Sequence, residues 1–435
     1  MAEYEAYKDA EIGKVGSIPA HWETTRIGNL FEEVSDRYET GMPEDLPLLS
    51  VSEYYGVAKR SDKIADDSIL VRAESLDGYK ICRPGDIVSN IMLTWKGALG
   101  SSPYAGIVSP AYCVYRPKGE INSRYFHYLF RTKVYTDVFH VNSTGLIDSR
   151  LRLYTPKFFA LYAPIPPMAE QNVIVEYLDK ITKCIDAIIA EAKSSIEEYK
   201  AWKASIIYEA VTKGLDPNVE MKDSGIHAIG RIPTHWSRAK IRYLHNGLTD
   251  GTHGTFNRVT EGHCLLSSKN VREDELLITD AESYISEEDY KQITCNGFPQ
   301  KNDLLLCCIG ASIGRCIVYE LDETMAFQRS VIFIRPNALI TAKMLRYAMI
   351  SESTLTQEKL LINQSAQPGL YQGSVGDIFI ALPPISEQNQ IVEFLNQKCG
   401  DINQIIKEKE NLIADLEAYK KSLIFEVVTG KRKVV

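Results

Sequence analysis

The run from Glu170 to Gly214 constrains this chain more than any other stretch. Apolar residues fall at Ile174, Leu178, Ile181, Ile185, Ile188, Ala192, Tyr199, Trp202 and Ile206, mostly in steps of three and four, so one narrow stripe follows a single helix. At about 1.5 Å per residue, a helix of roughly 45 residues is about 65 Å long. That exceeds what one globular core can cover, so the helix is expected to act as a spacer with a coiled-coil seam.

The stretch is answered near the other end of the chain. Pro166-Pro167 with Glu170-Gln171 matches Pro383-Pro384 with Glu387-Gln388, an offset of 217 (383 minus 166), and Ser205-Ile206 meets Ser422-Leu423 at the same offset. The apolar positions carry over as Ile391, Leu395, Ile402, Ile405, Leu416 and Leu423, while Lys398 and Lys409 stand where the first stripe has Ile181 and Ala192. Such polar replacements in a seam are expected to enforce a specific pairing.

The repeat extends beyond the helices. Ile18-Pro19-Ala20-His21-Trp22 recurs as Ile232-Pro233-Thr234-His235-Trp236, an offset of 214 (232 minus 18). The chain therefore reads as a tandem duplication of a lead segment, a globular region and a long helix. The boundaries are 1–166 for the first globular domain, 167–216 for its helix, 217–383 for the second domain and 384–435 for the second helix. The fold class is α+β: two mixed α/β domains separated by two long antiparallel coiled-coil helices, an internal tandem repeat with pseudo-twofold symmetry.

Composition excludes some classes. With 435 residues, 45% hydrophobic and 24% charged, the chain is long enough for two or three domains. No apolar run reaches the ~18 residues of a membrane span and the polar opening from Met1 to Lys14 lacks a signal-peptide core, so a cytoplasmic protein without membrane contact is expected. Nine cysteines without CxxC spacing read as free thiols, Cys307 and Cys308 as buried ones. A zinc site of His253, His263 and Cys264 is the weaker reading of those residues, and neither a metal nor a cofactor is expected. The net charge of −8 leaves any nucleic-acid contact to local patches or to a partner.

Within the globular regions, Pro84-Gly85 turns into a strand at Asp86–Ile91 and Tyr112–Tyr115 forms another before Arg116-Pro117. Asp303–Cys308 and Ser330–Ile334 before Arg335-Pro336 take the same places in the second. One helix is expected from Ser123 towards Tyr135, and one from Ala342 to Ile350 carrying Tyr347 where the first has Tyr128. The loops differ: Ser52–Gly56 and Met92–Gly97 in the first domain, Thr249–Thr255 and Ser267–Asn270 in the second. A shared scaffold with divergent polar and aromatic loops suits two readers of two sequences, or drift after duplication.

Taken in this order, the motifs resemble the specificity subunit of type I restriction-modification enzymes. The residues that carry the likeness are Pro166-Pro167 with Glu170-Gln171, Pro383-Pro384 with Glu387-Gln388, the endings Glu209-Ala210-Val211-Thr212 and Glu426-Val427-Val428-Thr429, and the Asp250-Gly251-Thr252-His253 loop. The resemblance implies a non-catalytic subunit whose two domains each read one half of a bipartite site in double-stranded DNA. The helices would set the unread spacer and dock two methyltransferase subunits, with restriction subunits joining through the complex.

DNA-contacting side chains are expected among the loop residues of the types that bind base edges and phosphates: Tyr54, Lys59, Arg60, Trp95 and Lys96, then Thr252, His253, Lys269, Asn270, Arg315 and Arg329. Trp95 serves equally as a buried anchor; Lys59, Arg60 and Lys269 as solvated charges; Arg315 and Arg329 as members of internal ion pairs. For Phe256 and Tyr371, core packing is favoured over base stacking. Gly310-Ala311-Ser312-Ile313-Gly314 lacks the Lys-Ser/Thr of a phosphate loop and reads as a tight turn, and Glu191-Ala192-Lys193 lies mid-helix rather than in a nuclease site. An enzyme in its own right, a nuclease or methyltransferase, and a scaffold binding only protein are the alternatives.

Overall fold

Two helices of 46 and 44 residues, Met168–Lys213 and Ile385–Val428, dominate the secondary structure. The computed structural model describes residues 3–10, 12, 15–39, 46–62, 76–362 and 369–434. Part of the polar opening, Lys14 included, lies outside them. Each long helix begins directly after a Pro-Pro pair, where a missing N–H costs nothing. The second stops at Gly430 (φ +69°), a left-handed cap that also leaves room for Pro19: a Cβ there would sit 2.2 Å from the Pro19 Cδ.

The chain divides into two compact units, residues 1–192 with 411–435 and residues 193–410. In the first, Ile174 and Leu178 share a core with Leu423, Val427 and Val428. Lys420 Nζ there reaches Asp186 Oδ1 at 2.6 Å. In the second, Ile207, Ala210 and Val211 share a core with Ile391, Leu395 and Cys399, and Lys203 Nζ donates to Asn403 Oδ1 at 2.8 Å.

The buried positions of the first helix are Gln171, Ile174, Leu178, Thr182, Ile185, Ile189, Ala192, Ile196, Ile207, Ala210, Val211 and Thr212. The expected stripe is thus one residue early in places: Ile188 is 46% and Trp202 52% exposed. Ile188 and Ile189 are adjacent, and only packing decides which turns inward. On the second helix Cys399 is buried and Lys398 exposed, so Lys398 does not interrupt the seam. Lys409 does approach it, its Nζ lying 5.8 Å from the centre of the Tyr199 ring.

The first unit is built on a four-stranded antiparallel sheet in the order Phe31–Val34, Tyr112–Pro117, Ile87–Asn90, Leu99–Ser101. A hairpin, Leu49–Ser52 with Gly56–Lys59, accompanies it. The helix expected from Ser123 to Tyr135 is two helices, Ser123–Phe130 and Lys133–Asn142. Thr132 breaks them: its backbone is extended and its Oγ1 donates to Leu129 O at 2.7 Å, closing the first helix. Tyr125, Phe126, Phe130, Tyr135 and Phe139 form an aromatic core under the sheet.

The second unit has a four-stranded antiparallel sheet in the order His245–Asp250, Val331–Pro336, Leu304–Cys307, Cys316–Val318, with the helix Ala342–Ile350 at its expected bounds. The Cys307 and Cys308 thiols are buried and free, and burial pushes them up to about 11 and about 12. Gly310–Ser312 forms a single 3-10 turn.

Each lead segment is bound to the start of a long helix by one carboxylate. Glu170 accepts from Trp22 Nε1 at 3.0 Å and lies 2.9 Å from His21 Nε2, with Tyr4 OH on its other oxygen. In the second unit Glu387 accepts from Trp236 Nε1 at 2.9 Å and lies 2.8 Å from His235 Nε2. Both indoles are buried, so these bonds satisfy donors that water cannot reach. The neighbouring glutamines act the same way: Gln171 accepts from Asn122 N and Gln388 from Thr341 N, each at 2.9 Å.

Glu358, on the helix Glu352–Leu361, is buried beneath Gly314 (φ +84°), where a Cβ would sit 2.7 Å from its Oε2. Burial raises its carboxyl from an ordinary 4.5 to about 7. The folded state therefore favours the protonated form. The stability this contributes is complete below about pH 4.5 and is lost as pH rises through about 7, a total on the order of 3 kcal/mol. Glu358→Gln, neutral at every pH, is expected to raise the urea midpoint clearly at pH 8 and much less at pH 5. An equal midpoint for the two proteins at pH 8 would contradict this account.

Candidate functional site

In the first unit the two expected loops share one support. Arg131 follows the helix Ser123–Phe130, and its guanidinium turns under the hairpin. Nη1 donates to Ser52 O, Gly97 O and Leu99 O at 3.1, 2.8 and 3.2 Å, and Nη2 to Glu53 O at 2.8 Å. Burial lowers Arg131 to about 10, so it remains charged at neutral pH and holds both turns by charge-assisted bonds.

Above this support Tyr54 is 84% exposed at the tip of the hairpin. Lys59 is half-buried with its Nζ 5.2 Å from the Tyr104 ring centre, and Arg60 opens a 3-10 turn. Trp95 is an anchor: its Nε1 donates to Met92 O at 3.0 Å and its ring packs 5.1 Å from His140. That packing seats the loop on the helix Lys133–Asn142. Lys96 is exposed, its ammonium 5.1 Å from the Trp95 ring centre.

In the second unit Thr252 and His253 follow the strand His245–Asp250 and are held by the backbone bonds Thr252 N to Phe327 O and Arg329 N to Thr252 O. Asp250 lies 2.7 Å from His253 Nε2 through Oδ2 and accepts from Gln372 Nε2 at 2.8 Å through Oδ1. Arg329 is exposed and makes no ion pair among the described residues. Asp250, His253, Arg329 and Gln372 line a cleft of about 490 Å³ together with Tyr371. The core role favoured for Tyr371 is corrected here, since it is 58% exposed, whereas Phe256 packs against Leu265, Ile285 and Ala326 as expected.

Three other candidates are occupied by the framework. Asn270 is only 2% exposed; its Oδ1 accepts from Ser267 N, and its Nδ2 donates to Leu277 O and Glu282 Oε1. It shapes its loop and presents nothing outward. Lys269 Nζ pairs with Glu282 at 2.7 Å, and this bond, more than any other group, lowers the pKa of that carboxyl. Arg315 Nη1 donates to Val271 O at 3.1 Å.

The weighed zinc residues have separate partners, His253 with Asp250 and His263 with Glu287, the latter at 2.5 Å with the ring stacked 3.8 Å from Tyr290. Among the described residues no group of three or more His, Cys, Asp or Glu could hold a metal ion. Sequence reasoning missed Arg131 and Gln372. Arg131 directly follows an aromatic helix that reads as core, and Gln372 meets Asp250 across 122 residues; nothing local marks either.

Known proteins resemble this chain in sequence and fold. The family model of the type I restriction modification DNA specificity domain matches residues 19–198 and 268–415, more than half of the chain. The type I restriction enzyme MjaVIII specificity subunit of Methanocaldococcus jannaschii is 25% identical over 447 aligned residues, covering 96% of this chain and 94% of that one. Among solved structures, a chain from work on complex assembly and conformational transition of the type I R-M system superposes with a TM-score of 0.69 at 15% identity, covering 95% of this chain and 99% of its own. The HsdS subunit from Thermoanaerobacter tengcongensis does so with a TM-score of 0.52 at 16% identity, covering 95% and 98%. The chain belongs to the type I restriction-modification DNA specificity family.

Proposed function

We propose that this chain is the sequence-reading subunit of a type I restriction-modification complex, working on double-stranded DNA in the cytoplasm. Its membership of the specificity family carries the reading. Methylation and cleavage then belong to methyltransferase and restriction subunits, and this chain supplies recognition and assembly.

In finer terms, the regions 1–166 and 217–383 are two target-recognition domains, each reading one half of a bipartite site. The helical regions 167–216 and 384–435 form an antiparallel coiled-coil spacer. Three sets of matched contacts support a duplicated, pseudo-twofold architecture. Glu170 and Glu387 hold Trp22 and Trp236. Tyr128 OH meets Asp179 at 2.5 Å as Tyr347 OH meets Asn396 at 2.8 Å. Arg116 grips the buried Asp86 through two nitrogens as Arg335 grips Asp303. Antiparallel pairing is supported within each unit, where Ile174 and Leu178 meet the far end of the second helix and Ile207 and Ala210 its beginning. Two similar helix starts offer two similar docking surfaces, one for each methyltransferase subunit.

Of the candidate contacts, Tyr54, Lys96, His253 and Arg329 are exposed and serve DNA most directly, with Lys59, Arg60 and Thr252 beside them. Trp95 acts by seating the first loop, and Lys269, Asn270 and Arg315 by shaping the second domain. Half-sites about one helical turn apart, ~34 Å, would let both domains approach one face of the duplex.

Two experiments test this reading. Inserting four residues near Ser194 should add about 6 Å to the helix and lengthen the spacer in the methylated motif while both half-sites stay the same; altered half-sites would argue against a ruler. Arg329→Ala should weaken binding of the methyltransferase complex to its DNA and reduce the slope of log K against log salt by about one, with the protein's melting unchanged. Lys269→Ala should instead lower stability by about 1 kcal/mol, because it leaves the buried Glu282 carboxylate with Asn270 but without its cation. Calorimetry and salt titration of the two variants separate the roles, and an unchanged salt slope for Arg329→Ala would remove that residue from the interface.

A further inference from the structure

We infer that Gln372 reads an adenine in the half-site of the second domain, with Asp250 as the residue that positions it. This rests on the DNA-reading function proposed above and names one of its specificity determinants.

A glutamine amide normally turns either end outward, since its oxygen and nitrogen are alike in size. Here the choice is made by Asp250. Its Oδ1 can accept only from nitrogen, so the 2.8 Å bond from Gln372 Nε2 fixes the amide and sends Oε1 to the opposite side. The other carboxylate oxygen lies 2.7 Å from His253 Nε2. Both oxygens of Asp250 are therefore committed, and it holds its two neighbours rather than meeting a ligand itself.

Gln372 keeps unused capacity. Among the described residues its side chain makes no other hydrogen bond, leaving one N–H and the lone pairs of Oε1 side by side. That donor–acceptor pair complements the major-groove edge of adenine, which offers the N7 acceptor beside the N6 amino donor. Guanine presents two acceptors there, so its O6 would face Oε1 and be rejected.

The surroundings suit a duplex. The cleft of about 490 Å³ is open, Tyr371 stands 58% exposed at its lip, and Arg329, without an ion pair among the described residues, borders it. A phosphate beside Arg329 would set the depth of approach, leaving the base edge to Gln372.

The test is a methylation assay with the chain assembled with its methyltransferase subunits, on DNA libraries that vary each position of the second half-site. For Gln372→Ala we expect one position to lose its preference for adenine by roughly 10- to 100-fold, with the other positions and the first half-site unchanged. Gln372→Met, which keeps the length of the side chain, should give the same relaxed position. Asp250→Asn should relax that position and whichever contact His253 makes, and leave the remaining positions unchanged, whereas a purely structural role would weaken all positions together. The inference is overturned if Gln372→Ala keeps every preference, if the loss spreads evenly over the half-site, or if both Gln372 variants abolish methylation altogether, since an outward reader is not needed for folding. A wild-type complex that methylates no split motif would refute the proposed function itself, a different result from any of these.

Discussion

A buried indole needs somewhere to place its N–H, and in this protein the answer organises the architecture. Trp22 and Trp236 each donate to a glutamate in the first turn of a long helix, Glu170 and Glu387. An anionic acceptor at a helix N-terminus is favoured by the helix dipole as well as by the bond. The lead segment, the helix start and the helix cap that packs on the same tryptophan become one joint, as Gly430 shows beside Trp22. For the spacer proposed here a fixed distance requires rigidly seated ends, so the joints would matter as much as the seam.

The long helices and the strands before the two Arg-Pro pairs are legible in the sequence because their signals are local: periodic apolar residues, Pro-Pro starts and strand-closing turns. The Arg-Pro pairs also turn out to have a physical purpose, the double grip of Arg116 on Asp86 and Arg335 on Asp303. Legibility ends where neighbours compete. Ile188 and Ile189 are equally apolar, and the inward choice belongs to the packing. Thr132 breaks a helix that aromatic periodicity would continue, through a bond to Leu129 that composition does not announce.

The site was harder to read than the fold. Lys269 and Asn270 look alike as loop residues, yet the unmet demands of the Ser267 amide and the Leu277 carbonyl draw Asn270 inward. Much of the basic inventory is likewise spent on carboxylates and carbonyls. With a net charge of −8, the DNA contact proposed for this chain falls to local patches of exposed cations.

Arg131 carries a different consequence. All four oxygens it grips, on Ser52, Glu53, Gly97 and Leu99, belong to the main chain. The grip is therefore indifferent to which side chains project from those two turns. If these turns read DNA as proposed, point changes at their tips would rewrite what the surface recognises while the frame beneath stays fixed, an evolutionary latitude where variety is most useful.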